Sequence, residues 1–246
     1  MWIVLCSATD VSALWAYQGL RQMGVAPLEL VTAEALASAT QWEHTLNGGT
    51  HITVRLADGR SICSSAVRGV LNRLSGPAPE MLQRATPADS DYVQAEMYAF
   101  YLSWVNALPG VVINRPTPLG LCGPWYHASE WVYRASRVGL RTPQYRLSGR
   151  ESLATTFSTL APAGATTINV ITLGGKVYGG YLPKATAGAC ADLAEDAGAD
   201  LLGITLYLDN DHNWTFADAV PMPDLAVGGM SLLSALANQL TQGASA

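Results

Sequence analysis

The sequence predicts an α/β protein, with a small parallel βα lobe at the N-terminus followed by an α+β lobe of antiparallel strands. Three observations predict it. WIVLCS (2–7) and PLELVT (27–32) are short apolar runs on either side of a helical pattern, the opening of a parallel sheet. Residues 168–181 and 201–219 read instead as strand pairs closed by tight turns. A chain of 246 residues with 49% apolar side chains can bury a core in each of two lobes.

Taken in order, Trp2–Ser7 is a buried strand, and Thr9 or Asp10 can cap a helix carrying Leu14, Tyr17 and Leu20 on one face up to Gly24. His51–Leu56 alternates apolar with polar residues, Asp58-Gly59 turns the chain, and Arg60–Ser64 returns as the hairpin partner. Val67–Leu74 is a further strand. A helix over about Asp89–Leu108 carries Tyr92, Tyr98, Phe100, Tyr101 and Trp104; their helical spacing favours packing on the sheet over a ligand-stacking face. Val111–Asn114 is a short strand, and Ser129–Val138 a helix stopped by Gly139 and Pro143. Ile168–Leu173 and Val177–Tyr181 pair through Gly174-Gly175-Lys176. Ala191–Ala197 is helical, Leu201–Tyr207 and Trp214–Ala219 form a second hairpin, and Leu232, Leu233, Leu236 and Leu240 mark a final amphipathic helix.

Composition excludes several classes of function. No run approaches 18 apolar residues, so a membrane span is not expected, and Asp10 ends the first apolar run too early for a signal peptide. A net charge of −5 gives no attraction to nucleic acid. Charged residues make up 13% of the chain, about half the usual share of roughly 25%, a sparse coat that points to a homodimer or a protein partner. Lysine occurs only at Lys176 and Lys184, against twelve arginines. The scattered Cys6, Cys63, Cys122 and Cys190 have no metal-ligand spacing, and reduced thiols in a cytoplasmic setting are expected, with Cys6 and Cys190 buried.

The order of several phrases resembles the ATP-grasp superfamily, in its branch of amino-acid ligases and peptide modifiers such as ribosomal-protein glutamate ligases and microviridin-type ligases. The Asp58-Gly59 hairpin, GVLNR (69–73), the aromatic helix and VINRP (112–116) resemble its pre-ATP-grasp domain. ASRVGLRTP (135–143) resembles the entry to its nucleotide region, and INVITLGGKVYGG (168–180) the strands after its lid. The segment from GADLLGITLY (198–207) to NWTFADAVPMPDL (213–225) resembles its metal-binding hairpin. The resemblance implies a pre-ATP-grasp-like domain over 1–117 and a reduced ATP-grasp-like domain over 118–246, with the lid reduced or missing.

It also implies where catalysis would sit. The family's first lysine falls at Ala128, Ser129 or Glu130, none of them basic, and the span from Pro143 to Ile168 holds Arg146 and Arg150 but no lysine. The family arginine falls at Asn169. The metal-holding acid, Glu and Asn fall at Thr205, Asp218 and Val220, one carboxylate for three oxygen ligands. The leading expectation is therefore a degenerate ATP-grasp-like protein without cofactor, binding a peptide, small molecule or partner enzyme, or serving as a non-catalytic subunit of a peptide-modifying complex. The alternative is an active ATP-dependent carboxylate–amine ligase using ATP and Mg²⁺, with Arg146 or Arg150 on phosphate and Asp218 with Asp209 or Asp211 on the metal. His127, Arg115 and Asn114 are candidate cleft residues, and Asp224 is expected to cap a helix.

Overall fold

Five consecutive apolar residues, Trp2–Cys6, form β1, and every one is buried. The computed structural model describes residues 1–46, 50–78, 86–144 and 161–242. Two units emerge, Met1–Pro124 together with the chain from Leu233 onward, and Trp125–Leu232.

In the first unit, Asp10 caps α1 (Val11–Gln22) by accepting from the Ala13 N–H at 2.9 Å, and the chain returns as β2 (Leu28–Thr32). A short α2 (Ala33–Ala37) leads to β3 (Gln41–Leu46), β4 (Thr50–Arg55) and β5 (Ser61–Cys63), an antiparallel three-stranded sheet. Gly59 closes its second hairpin at φ 89°, the conformation that makes glycine the natural residue after Asp58. Then come β6 (Gly69–Asn72), α3 (Pro87–Ala107) and β7 (Val111–Ile113). The main sheet has order β2-β1-β6-β7, parallel throughout. On α3, Tyr101 and Trp104 are wholly buried, and Trp42 of β3 meets Phe100 and Trp104 edge-to-face, with centroids at 4.7 and 5.6 Å. Tyr101 and Trp104 are therefore core, with Tyr98 and Phe100 packed partly buried against them, while Tyr92 stands exposed on the same helix.

Polar groups fasten the carboxyl ends of the parallel strands. Arg73 Nε lies 2.7 Å from Asp10 Oδ2, with only 4% and 9% of the two side chains exposed. Asn72 donates from Nδ2 to the carbonyls of Asn114 (2.8 Å) and Leu121 (2.6 Å), while its Oδ1 accepts from the Leu74 N–H.

In the second unit, α4 (Ala128–Arg137) is followed by β8 (Thr167–Leu173) and β9 (Lys176–Gly179). Gly174 and Gly175, both at positive φ, make the two-residue turn that the sequence announces. Next come α5 (Lys184–Ala197), β10 (Leu201–Leu208) and β11 (Trp214–Val220), giving an antiparallel sheet of order β11-β10-β8-β9. One face buries Val170, Ile204, Leu206 and Phe216 in a core shared with Trp131 and Ala135 of α4 and Leu193 of α5. A 3₁₀ turn (Leu225–Gly228) precedes α6 (Gly229–Gln242). Among the described residues no helix is long and apolar enough to cross a membrane.

Candidate functional site

The face of the second unit's sheet opposite that core carries the residues singled out by the resemblance. Register places Asn169 of β8, Thr205 of β10 and Asp218 of β11 in one row. The Thr205 hydroxyl donates to Asn169 Oδ1 at 2.8 Å. Between Thr205 and Leu206 the pairing slips, because Leu206 faces Phe216 while Thr205 faces Asp218. Ala217 is the extra residue of a β-bulge, a device that re-aims neighbouring side chains. Oδ1 of Asp218 accepts from the Ala219 N–H at 2.8 Å.

Beside this row lies a cavity of about 210 Å³ lined by Asn169, Ile171, Gly203, Thr205, Val220 and Val227, among others. Its roof is the segment from Met222 to Val227. A Cβ on Gly203 would stand 2.5 Å from Pro223 Cβ, so only glycine lets that segment lie on the strand. A glycine inside an otherwise apolar strand was the available sequence signal for such a close approach. Asp224 accepts from the Ala226 N–H at 3.1 Å, capping the 3₁₀ turn that leads into the last helix.

Burial pushes the Asp218 carboxyl above the usual aspartate range, with the Ala219 N–H opposing it. A folded-state value above the unfolded one favours the native state when the group is protonated, and that advantage is lost as pH rises through the folded value. Asp218→Asn is therefore expected to raise the melting temperature near neutral pH, with the gain fading in acid below the unfolded aspartate value. Melting curves across pH for both proteins check this; a gain that grows in acid would contradict it. A half-buried carboxylate beside a cavity makes this row the functional candidate.

Two further candidates on the same hairpin lie apart from the row. Asp209 and Asp211 sit at the β10–β11 tip. There Asp209 accepts from the N–H groups of Asp211 and Asn213 and from the Thr215 hydroxyl, with Arg141 3.8 Å away. The Asn213 N–H heads the contacts that hold the Asp209 carboxyl below its ordinary value. That makes it a hairpin clasp, several residues along the strands from Asp218. Arg115 donates to the carbonyls of Asn106 (2.9 Å) and Gly110 (3.0 Å), closing the end of α3. Asn114 is buried at φ 57°, its carbonyl accepting from Asn72. His127 caps α4, its Nδ1 accepting from the Ser129 N–H, and Ala128, Ser129 and Glu130 form that helix's first turn. Arg146 and Arg150, with most of the span where a lid would fall, lie outside the described residues.

The donor set does not fit a magnesium–triphosphate group. Asn169, Thr205, Asp218 and Val220 supply a single carboxylate, itself disfavoured in its charged form, where such an ion takes several hard oxygens. Among the described residues no group of three His, Cys, Asp or Glu side chains can hold a metal ion.

A two-unit α/β chain with a parallel N-terminal sheet and this four-stranded antiparallel sheet has the ATP-grasp-like fold, in the form found among peptide-modifying ligases. It is similar over 98% of its length, and 99% of the other chain, to the macrocyclase MdnC from Microcystis aeruginosa MRC bound with precursor peptide MdnA, at 13% identity and a TM-score of 0.73. It is similar to a Chryseobacterium gregarium RiPP-associated ATP-grasp ligase in complex with ADP and a leader and core peptide. There the identity is 9% and the TM-score 0.69, over 98% of this chain and 96% of that one. The ATP-grasp ligase PsnB, complexed with precursor peptide PsnA2 and AMPPNP, matches at 14% identity and a TM-score of 0.65 over 98% of each chain. No family model matches the sequence, and no curated protein matches it by sequence search.

Proposed function

We propose that this protein works in ATP-grasp-type peptide modification and holds a peptide as its ligand. The observation that carries the proposal is the full-length likeness to ligases solved with precursor peptides. At identities of 9 to 14% that likeness supplies the scaffold, and the peptide role is inferred from it.

Two observations bear on whether the chain itself joins bonds. The likeness to nucleotide-bound ligases, with Asp218 a carboxylate on the hairpin, favours an ATP-dependent carboxylate–amine ligase. In that reading Arg146 and Arg150 would supply positive charge to phosphate, and a bound nucleotide would supply the phosphoryl group that activates a carboxylate toward an amine. The row of Asn169, Thr205 and one aspartate, with Val220 two residues along β11 in the wall of the cavity, favours a protein that holds peptide for a partner enzyme.

Titration with ATP and Mg²⁺, followed by melting temperature, separates the two. A ligand at 100 times its Kd stabilises the native state by about 2.7 kcal/mol, which is visible as a melting shift. The ligase reading expects a magnesium-dependent shift and nucleotide turnover in the presence of peptide, both lost in Asp218→Ala. The peptide-holding reading expects no shift at millimolar nucleotide but saturable binding of a precursor-type peptide. Absence of any peptide binding, with or without nucleotide, would overturn the proposal.

A further inference from the structure

The solvent face of the three-stranded sheet carries a side-chain cluster separate from the row of Asn169, Thr205 and Asp218. Alternation along β4 turns His51, Thr53 and Arg55 to one side, and register sets Thr53 opposite both Glu43 of β3 and Cys63 of β5. His51 Nε2 lies 3.6 Å from Cys63 Sγ and 3.5 Å from Thr53 Oγ1. The Ser65 hydroxyl stands 3.1 Å from the same sulfur. One thiol therefore has an imidazole and a hydroxyl within hydrogen-bond range, drawn from a neighbouring strand and from the turn that follows β5.

The other three cysteines contrast with it. Cys6, Cys122 and Cys190 are fully enclosed, and burial pushes the thiols of Cys6 and Cys190 up to about 12. Cys63 is partly exposed, and the Ser65 hydroxyl leads the contacts that hold its thiol below the ordinary value. Glu43, His51 and Arg55 are the titratable groups sharing its face.

We propose that Cys63, assisted by His51 and Ser65, is a nucleophilic thiol that exchanges with low-molecular-weight disulfides to form a mixed disulfide on this face of the sheet. The Cys63 proton passes to His51 or to solvent, and the thiolate attacks one sulfur of the small disulfide. That disulfide's S–S bond breaks, a new one forms to Cys63, and the second sulfur leaves as a thiolate. Cys63 is oxidised, and the leaving sulfur is reduced.

The test uses the folded full chain with dithiobisnitrobenzoate and, separately, oxidised glutathione. Intact mass counts the adducts, and absorbance follows the rate from about pH 5 to 9. One fast-reacting thiol per chain is expected, absent in Cys63→Ser. In His51→Gln and Ser65→Ala the midpoint of the pH–rate profile should move up, and the rate near pH 7 should fall by about threefold or more. Melting curves establish that each variant is folded, and Ser65→Ala decides if His51→Gln is not. A fast thiol persisting in Cys63→Ser would overturn the proposal. So would unchanged rates and midpoints in the folded variants, the behaviour of a merely exposed cysteine.

Discussion

Arg73→Ala is expected to lower the unfolding free energy by about 3–5 kcal/mol, the range for breaking one side of a buried ion pair. Arg73 and Asp10 are almost fully enclosed, and two contacts, Nε to Oδ2 at 2.7 Å and Nη2 to Oδ1 at 3.2 Å, join them. Truncation at Arg73 leaves the Asp10 carboxylate charged and buried without its cation. Asp10 is also the cap of α1, so the damage reaches the packing of that helix on β1 and β2. Asp10→Asn keeps a capping oxygen and removes the charge, and should rescue part of the loss when combined with Arg73→Ala. Urea denaturation of the four proteins measures the coupling. A single-variant loss below about 1 kcal/mol would mean the pair behaves like a surface bridge.

Phe216→Ala is expected to cost about 3–5 kcal/mol, as aromatic truncations in closed cores do. Phe216 has no exposed surface and packs among Leu206, Ile204 and the helices of the second unit. It also sits one residue from the bulge that sets Asp218 beside Thr205. Loosening it should therefore weaken ligand binding at the row along with stability, whereas Leu193→Ala, in the same core but on α5, should cost stability with less effect on binding. Equal binding losses in the two variants at matched stability would show that the bulge does not position the row.

Much of this architecture was legible because the deciding forces are local. Gly59, Gly174 and Gly175 announced their turns through conformations other residues avoid, and the spacing of Tyr101 and Trp104 announced a buried helix face. Strand β3 was not foreseen, because Glu43 and Thr45 dilute its apolar signal and its stability comes from Trp42 packing on α3. Helix α5 starts at Lys184, well before the predicted Ala191, since its small residues show little periodicity.

At the site, the row of Asn169, Thr205 and Asp218 followed from resemblance plus register. The roof over Gly203 did not, because a contact between a strand and Pro223 some twenty residues later leaves no periodic trace. The same holds for Arg115, whose guanidinium is used by backbone carbonyls at the end of α3, and for His127, an uncommon helix cap.

The indole N–H of Trp2 donates to the carbonyl of Leu240 at 3.0 Å, and Leu240 also borders Gly69 of β6. Strand β1 thus meets this partner only after residue 240 has been made. At usual translation rates of roughly 5–20 residues per second, β1 waits tens of seconds for it. By the end of that interval β8 to β11 of the second unit have been made, while the first unit has its parallel sheet but not its closing helix. The unit translated first is, on this geometry, completed only by a helix made more than a hundred residues later.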